Sequence, residues 1–313
     1  MRIVFMGTPD FSVPCLHALI ESKHDVVGVI CQPDKPVGRK QIMTPPPVKQ
    51  EAIAHNLRVL QPRSLRGGAG LAILEDLQPD LVIVVAYGKI LPPDFLAYPK
   101  YGCVNVHASL LPRYRGASPI HWAIINGDQE TGVTTMQMDA GMDTGDILLV
   151  IKVPINENDT AESLFETLSA VGAEAMMETI ERIEAGTLTP VKQDDSRAVN
   201  VGLLTKDLGN IDWTQSALQI HNQIRGLYSW PGAYTFWNGD MLKIHKARLS
   251  AQTSSKAPGT VVQTKGGLLV ACGDGGCVEL LEVQLAGKKR MDASAFLNGS
   301  GLQKDMIFES PKQ

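Results

Sequence analysis

The chain has 313 residues, 44% hydrophobic and 20% charged, which is enough for a full core and for two domains. No apolar run approaches the length of a membrane span, and Met1 leads at once into a strand-like segment that leaves no room for a signal or transit peptide, so a cytoplasmic protein without membrane contact is expected. The net charge of −4 hides an asymmetry: residues 1–205 carry 17 Lys+Arg against 24 Asp+Glu, and residues 206–313 carry 12 against 9, so the first part repels a polyanion and the last weakly attracts one.

In chain order, residues 2–6 read as a buried strand, Gly7-Thr8-Pro9-Asp10 as a turn, and the next stretch as a helix with Phe11, Leu16, Leu19 and Ile20 on one side. Residues 26–30 form the next strand. This opening predicts an α/β fold, a doubly wound Rossmann-like parallel sheet, but the turn lacks Gly-x-Gly-x-x-Gly and no Walker-type loop occurs, which disfavours a dinucleotide cofactor. The connection over 31–48 is unusually long. It carries Pro36, Pro45, Pro46 and Pro47 with Lys35, Arg39 and Lys40, and a basic tip on a proline-stiffened base suits a loop that orders on an anionic partner.

A helix over 49–56, a short strand at 58–60 and a helix over 70–77 follow. Residues 81–86 are apolar on both faces, as in a central strand of a covered sheet. Strands are further predicted up to His107, over 133–138 and over 147–153. Asp159 with Glu162 predicts a capping box for a long helix to Ala185, stopped by Gly186. Residues 187–206 show no period. Beyond a helix over 216–227, short strands at 233–237, 242–249, 259–264, 268–272 and 278–285 point to a small OB-like β-barrel. The expected organisation is a domain over 1–189, a linker over 190–206 and a second domain over 207–313. Five scattered cysteines with no Cys-x-x-Cys spacing read as reduced thiols, without a disulfide frame or a metal site.

The chemistry concentrates at residues 102–116. On a strand, alternate side chains share a face, so Asn105 and His107 stand side by side before the chain leaves through a Pro/Arg/Gly-rich loop. Polar groups at the carboxyl end of a strand are where α/β sheets hold ligands. The Asp/Gly-rich loop 138–146 follows another strand and brings a carboxylate, Asp143, towards the imidazole. Taken alone, Asn-x-His is also compatible with a turn cap and a hydrogen-bonded core histidine.

The ordered set Asn105-x-His107-x-Ser109-Leu110-Leu111-Pro112-x-x-Arg115-Gly116, then Asp143-Thr144-Gly145-Asp146, resembles the folate-dependent formyltransferases. Phe5-Met6-Gly7-Thr8-Pro9-Asp10-Phe11, Gln32-Pro33-Asp34-Lys35-Pro36, Pro46-Pro47-Val48-Lys49, Val84-Val85-Ala86-Tyr87-Gly88 and Ile211-Asp212-Trp213 extend the resemblance over nearly the whole chain, to the branch that acts on initiator tRNA. The resemblance implies formyl transfer from 10-formyltetrahydrofolate to the α-amino group of methionyl initiator tRNA, by a monomer that needs no metal. In that chemistry Asn105 donates to the oxyanion, His107 donates as imidazolium or moves the proton, and Asp143 orients the imidazole and favours its charged form.

The resemblance also implies a folate site built from Tyr87, Gly88, Ile90, Leu91, Ser109, Leu110, Leu111, Pro112 and Asp139, and tRNA contacts from Lys35, Arg39, Lys40, Lys49, Lys206, Lys243, Lys246 and Arg248. Arg113 and Arg115 serve either an anion or the bracing of their loop. Gly202, Leu203 and Asn210 depart from the family pattern before Ile211, which bears on the extent of the tRNA patch. The alternatives are a sugar-nucleotide or glycinamide-ribonucleotide formyltransferase, and a tRNA-binding module without catalysis.

Overall fold

A computed structural model describes residues 1–38 and 40–309. Two compact units are present. One comprises Met1–Gly116, Thr131–Pro154 and Phe165–Val201; the other comprises Ala117–Glu130, Ile155–Leu164 and the chain from Gly202 onward.

The first unit is built on a seven-stranded, parallel-rich sheet of Rossmann-like type. Arg2–Gly7 lies between Asp25–Ile30 and Leu81–Val85, parallel to both. Val59–Leu60 extends one side and Cys103–His107 the other, again in parallel. Glu130–Gln137 then pairs antiparallel with Cys103–His107, and Ile147–Pro154 is the outermost strand on that side. The central strands are apolar at every position because helices cover both faces of a parallel sheet: all of Leu81–Val85 is buried, as is Arg2–Gly7 after its first residue. On one face the long helix Ala161–Ala185 closes down through Phe165, whose ring meets Phe11 edge-on at 5.2 Å, and Ser169, whose hydroxyl donates to the Phe11 carbonyl at 2.9 Å.

Three local expectations change. The long connection after Cys31 is not irregular throughout: Lys35–Val37 and Ile42–Thr44 pair as an antiparallel hairpin with Val37, Ile42 and Met43 exposed. The capping box of the long helix uses Thr160 and Ser163, not Asp159 and Glu162. Thr160 Oγ1 accepts from the Ser163 N–H and Ser163 Oγ from the Thr160 N–H, because the helix begins at Ala161 and the reciprocal pair must start one residue before it. Asp159 instead accepts from the Asn156 N–H at 2.7 Å, closing the preceding turn. The aperiodic stretch after Gly186 is also paired. Val191 bridges Ile147, and Asn200–Val201 runs parallel to Arg115–Gly116.

The second unit carries an antiparallel sheet in the order Ala233–Trp237, Asp240–Thr253, Gly276–Leu285, Leu268–Ala271, Val261–Gln263, with Met291–Asp292 on Gly276–Leu285. Its core contains Ile211, Trp213, Ile220, Leu242, Ile244, Val278 and Phe308. Trp213 is fully buried, stacks on Phe308 at 5.9 Å and donates its indole N–H to Thr235 Oγ1 at 3.0 Å. The helix Ala217–Gly226 starts at a capping box between Ser216 and Gln219 and reaches Pro119–Ile125 at Gly226, where a Cβ would stand 2.7 Å from the Ile125 side chain. No helix among the described residues is long and apolar enough to cross a membrane.

Replacing Trp213 by Ala should cost about 3–5 kcal/mol of stability, as for other large-to-small aromatic truncations in a core, and Trp213→Phe clearly less. Urea unfolding followed by circular dichroism checks this, and equal midpoints for Trp213→Ala and wild type would refute it. A second expectation concerns pH. Burial pushes the imidazoles of His24, His121 and His221 below the ordinary value, so the unfolded chain binds protons there that the fold refuses. Stability from these groups is present above the ordinary histidine range and lost as pH falls through and below it. The unfolding temperature should therefore drop between pH 7.5 and 5.5, and less so in a His121→Gln variant.

Candidate active site

Asn105 and His107 lie at the carboxyl end of Cys103–His107, with Met136 and Thr134 as register partners on the next strand. Both are buried, and they share a face as the period of two requires. The Asn105 carboxamide makes no hydrogen bond with the described residues although only 9% of the residue is exposed. Its polar atoms are not among those sealed from solvent without a partner, so the carboxamide reaches open space beside the imidazole.

The imidazole is held from both sides. His107 Nε2 lies 2.9 Å from the Tyr114 carbonyl oxygen, which can only accept, so Nε2 carries the proton and donates. The other nitrogen, Nδ1, lies 3.7 Å from Asp143 Oδ2, an electrostatic contact too long for a direct hydrogen bond. Asp143 Oδ2 in turn accepts from the Gly116 N–H at 2.7 Å, and Asp143 itself has a positive φ of 55°. The carboxylate and the carbonyl that hold the ring are thus both tied to the same three residues, Tyr114, Arg115 and Gly116.

The neighbouring loops are internally braced. Ser109 is fully buried, and its hydroxyl donates to the Arg113 carbonyl at 2.7 Å. Thr134 Oγ1 donates to the Ser109 carbonyl at 2.6 Å and accepts from the Leu111 N–H at 3.2 Å. Leu111 and Pro112 are buried and Leu110 half-buried. Asp139 Oδ1 accepts from the Gly141 N–H and the Thr144 hydroxyl, which shapes the loop that carries Asp143.

The segment after Leu81–Val85 alternates. Tyr87 and Leu91 are buried in the core, whereas Gly88 and Ile90 are exposed. The phenol of Tyr87 has no hydrogen-bond partner, and burial pushes its pKa up to about 12. Its side chain therefore belongs to the packing, and Gly88, at φ +80 with nothing within 4 Å of a hypothetical Cβ, is where this segment leaves open space.

The basic residues divide into two kinds. Lys35, Lys40, Lys206, Lys243 and Lys246 are exposed, whereas Arg39 lies outside the described residues. Lys49 is engaged: its ammonium donates to both Asp34 oxygens at 2.8 and 2.9 Å and to Gln61 Oε1 at 2.8 Å, and the bonds Asp34 accepts from Lys49 and from Gln61 Nε2 hold its carboxyl below its ordinary value. Arg248 is exposed but donates to Glu279 at 2.7 Å. On Asp240–Thr253 an irregularity between Ile244 and Lys246 resets the alternation, so Lys243, Lys246 and Arg248 all reach solvent. A cavity of about 290 Å³ in the second unit is lined by Lys246, Arg225, Arg290, His221 and His245, with Glu282 among the walls.

Sequence reasoning does not single out Gln193, which bonds to the Asp143 loop and to Arg115. Its only local signal is a polar amide in an aperiodic stretch.

An amide without a protein partner, an imidazole and a carboxylate thus gather at the carboxyl end of a strand in a parallel-rich sheet, where such sheets hold ligands. The chain belongs to the formyl transferase family: the formyl transferase domain matches residues 1–180 and the formyl transferase C-terminal domain residues 203–301. It is 51% identical to the methionyl-tRNA formyltransferase of Lachnospira eligens over 97% of this chain and 98% of that protein. It is 47% identical to that of Caldanaerobacter subterraneus over 99% and 100%. Among solved structures it superposes on an N-formyltransferase from Helicobacter canadensis in complex with folinic acid and dTDP-3-aminofucose, with a TM-score of 0.69 and 22% identity over 90% of this chain and 98% of that one. HypX from Aquifex aeolicus in complex with tetrahydrofolic acid gives 0.61 and 17%, over 100% of this chain and 51% of that one. At these identities the two structures speak for the fold.

Lys49→Met should leave Asp34 without its cation and loosen the base of the 35–44 hairpin. Limited proteolysis should then cut within the hairpin faster than in wild type, and unchanged cleavage kinetics would show that the ion pair does not hold it.

Proposed function

We propose that this chain transfers the formyl group of 10-formyltetrahydrofolate to the α-amino group of methionyl initiator tRNA. The observation that carries the reading is similarity to methionyl-tRNA formyltransferases over essentially the full length, together with Asn105, His107 and Asp143 gathered at one strand end. Folate ligands in the two solved relatives support a folate donor. Gly88 and the exposed Ile90 supply one wall for it, and the loop from Ser109 to Pro112, with the turn at Asp139, shapes the other side. This chemistry asks for no metal, the protein works as a monomer, and its place is the cytoplasm.

In the transfer, the amine nitrogen attacks the formyl carbon, the carbonyl oxygen takes up negative charge, and the bond from that carbon to the folate nitrogen breaks while the amine gives up a proton. The Asn105 amide, free of other partners, donates to the developing oxyanion. His107 Nε2 is committed to the Tyr114 carbonyl, so the proton passes through Nδ1, and Asp143 stabilises the imidazolium that results. Reprotonation of the folate nitrogen completes the exchange.

Residues 207–313 form the tRNA-holding part in this reading, an OB-like domain that includes the long strand Asp240–Thr253. Its outward Lys243, Lys246 and Arg248, the hairpin with Lys35 and Lys40, and Arg39 and Lys206 supply phosphate contacts. Lys49 acts indirectly, through the base of that hairpin. A catalytic domain over 1–189 and a linker over 190–206 complete the assignment.

Asn105→Ala, His107→Ala and Asp143→Ala should each lower kcat by about 10²–10³ with methionyl initiator tRNA, the scale of losing one oxyanion donor. Near wild-type turnover in His107→Ala would remove the basis of the assignment. Replacing Lys243, Lys246 and Arg248 together by Ala should weaken tRNA binding and flatten its salt dependence by about 0.9 in log–log slope for each phosphate no longer neutralised. An unchanged slope would place the tRNA elsewhere.

A further inference from the structure

The hydrogen bonds around Asp143 reach one residue that formyl-transfer chemistry does not require. Gln193 is buried, 6% exposed, and its carboxamide is used at every valence. Nε2 donates to the Asp143 carbonyl at 2.9 Å and to the Gly145 carbonyl at 2.7 Å. Oε1 accepts from Arg115 Nε at 3.1 Å and Nη2 at 2.8 Å. Arg115 is itself buried and sends Nη2 on to Asp195 Oδ1 at 2.7 Å.

This amide links the two segments whose separation sets the His107–Asp143 contact. On one side it grips the backbone on either side of Thr144. On the other it holds Arg115, whose neighbours Tyr114 and Gly116 bind His107 Nε2 and the Asp143 carboxylate. Backbone pairing supports the same clamp: the Arg115 N–H donates to the Val199 carbonyl at 2.8 Å, and Asn200–Val201 lies parallel to Arg115–Gly116. Asp143 sits at a positive φ, which a non-glycine residue holds only when its surroundings enforce it. Gly145 packs directly on the Gln137 carbonyl, since a Cβ there would collide with it.

We propose that Gln193, together with Arg115, is a positioning residue for the transfer: it fixes the Asp143 loop against the Tyr114–Gly116 segment and so holds the carboxylate in register with His107. Arg115 thereby braces its own loop and is not available to an anionic substrate. The inference rests on the reading of His107 and Asp143 as the catalytic pair. No ionisable group on the adjoining strands Leu81–Val85 and Glu130–Gln137 stands opposite the ring; the charged groups on the segments around it are Asp139, Asp143, Asp146, Arg113 and Arg115.

The test is a double-mutant cycle on the full chain with methionyl initiator tRNA and 10-formyltetrahydrofolate. Gln193→Leu should lower kcat by about 10- to 100-fold, the cost of displacing a reacting group by roughly 1 Å, with KM for either substrate within about threefold. In an Asp143→Ala background the same change should alter kcat by less than about twofold, because a residue that acts through Asp143 has nothing left to position. An equal loss in both backgrounds, or a loss confined to KM, would overturn the proposal. Gln193→Glu keeps the shape and the acceptor for Arg115 but loses both donors, so it should show the same fall in kcat if Gln193→Leu does not fold; wild-type kcat in Gln193→Glu would also overturn it. The amide proton resonance of Gly116, which reports the bond to Asp143, should move upfield in either variant. A fixed resonance refutes positioning whatever the activity, and a wild-type rate in Asp143→Ala with a moved resonance refutes the catalytic reading alone.

Discussion

Three consecutive residues, Tyr114 to Gly116, set the geometry on which the site depends. The Tyr114 carbonyl accepts from His107 Nε2, the Gly116 N–H donates to the Asp143 carboxylate, and Arg115 between them is anchored by Gln193 and Asp195. An imidazole hydrogen-bonded through one nitrogen can still rotate; one that also faces a fixed carboxylate at the other has a defined plane and tautomer. The backbone at 114–116 delivers both restraints. The sheet contributes the strand end and the loop contributes the charge, yet neither alone would hold the ring.

That constraint explains a division of labour among the polar residues. Those engaged by protein partners, Gln193, Ser109, Thr134 and Arg115, brace loops. Asn105 alone among the pair on its strand keeps its polar group free of protein partners. The same reasoning separates Lys49, saturated by Asp34 and Gln61, from Lys243 and Lys246, which face solvent with their charge open to a polyanion.

How much of this could be read from residues alone varies by element. Leu81 to Val85 could only be a covered central strand, because five successive apolar residues leave no face for water. Asn105 and His107 on one face follow from the pleat, and the loop rich in Asp and Gly after the next strand pointed to Asp143. The short antiparallel strands beyond Ala233 were legible in their spacing. In contrast the hairpin within residues 35–44 was hidden, since three-residue strands with exposed side chains leave no hydrophobic period.

Tyr87 shows where local pattern and tertiary fate part. It stands beside Gly88 in the segment read as a ligand wall, and its ring packs in the core behind Leu81–Val85. Gln193 shows the reverse: nothing in an aperiodic, polar stretch marks one amide as different, and its bonds exist only because residues 115, 143 and 145 converge on it from segments far apart in the chain. The sequence by itself determined the parallel-rich sheet, the second antiparallel unit and the placing of Asn105 and His107 on one face, because hydrophobic period and strand alternation are local properties. Only the tertiary structure decided which nitrogen of His107 is committed, which cations are engaged by the fold and what holds Asp143 in place, because hydrogen-bond saturation is a property of neighbours brought together from distant parts of the chain.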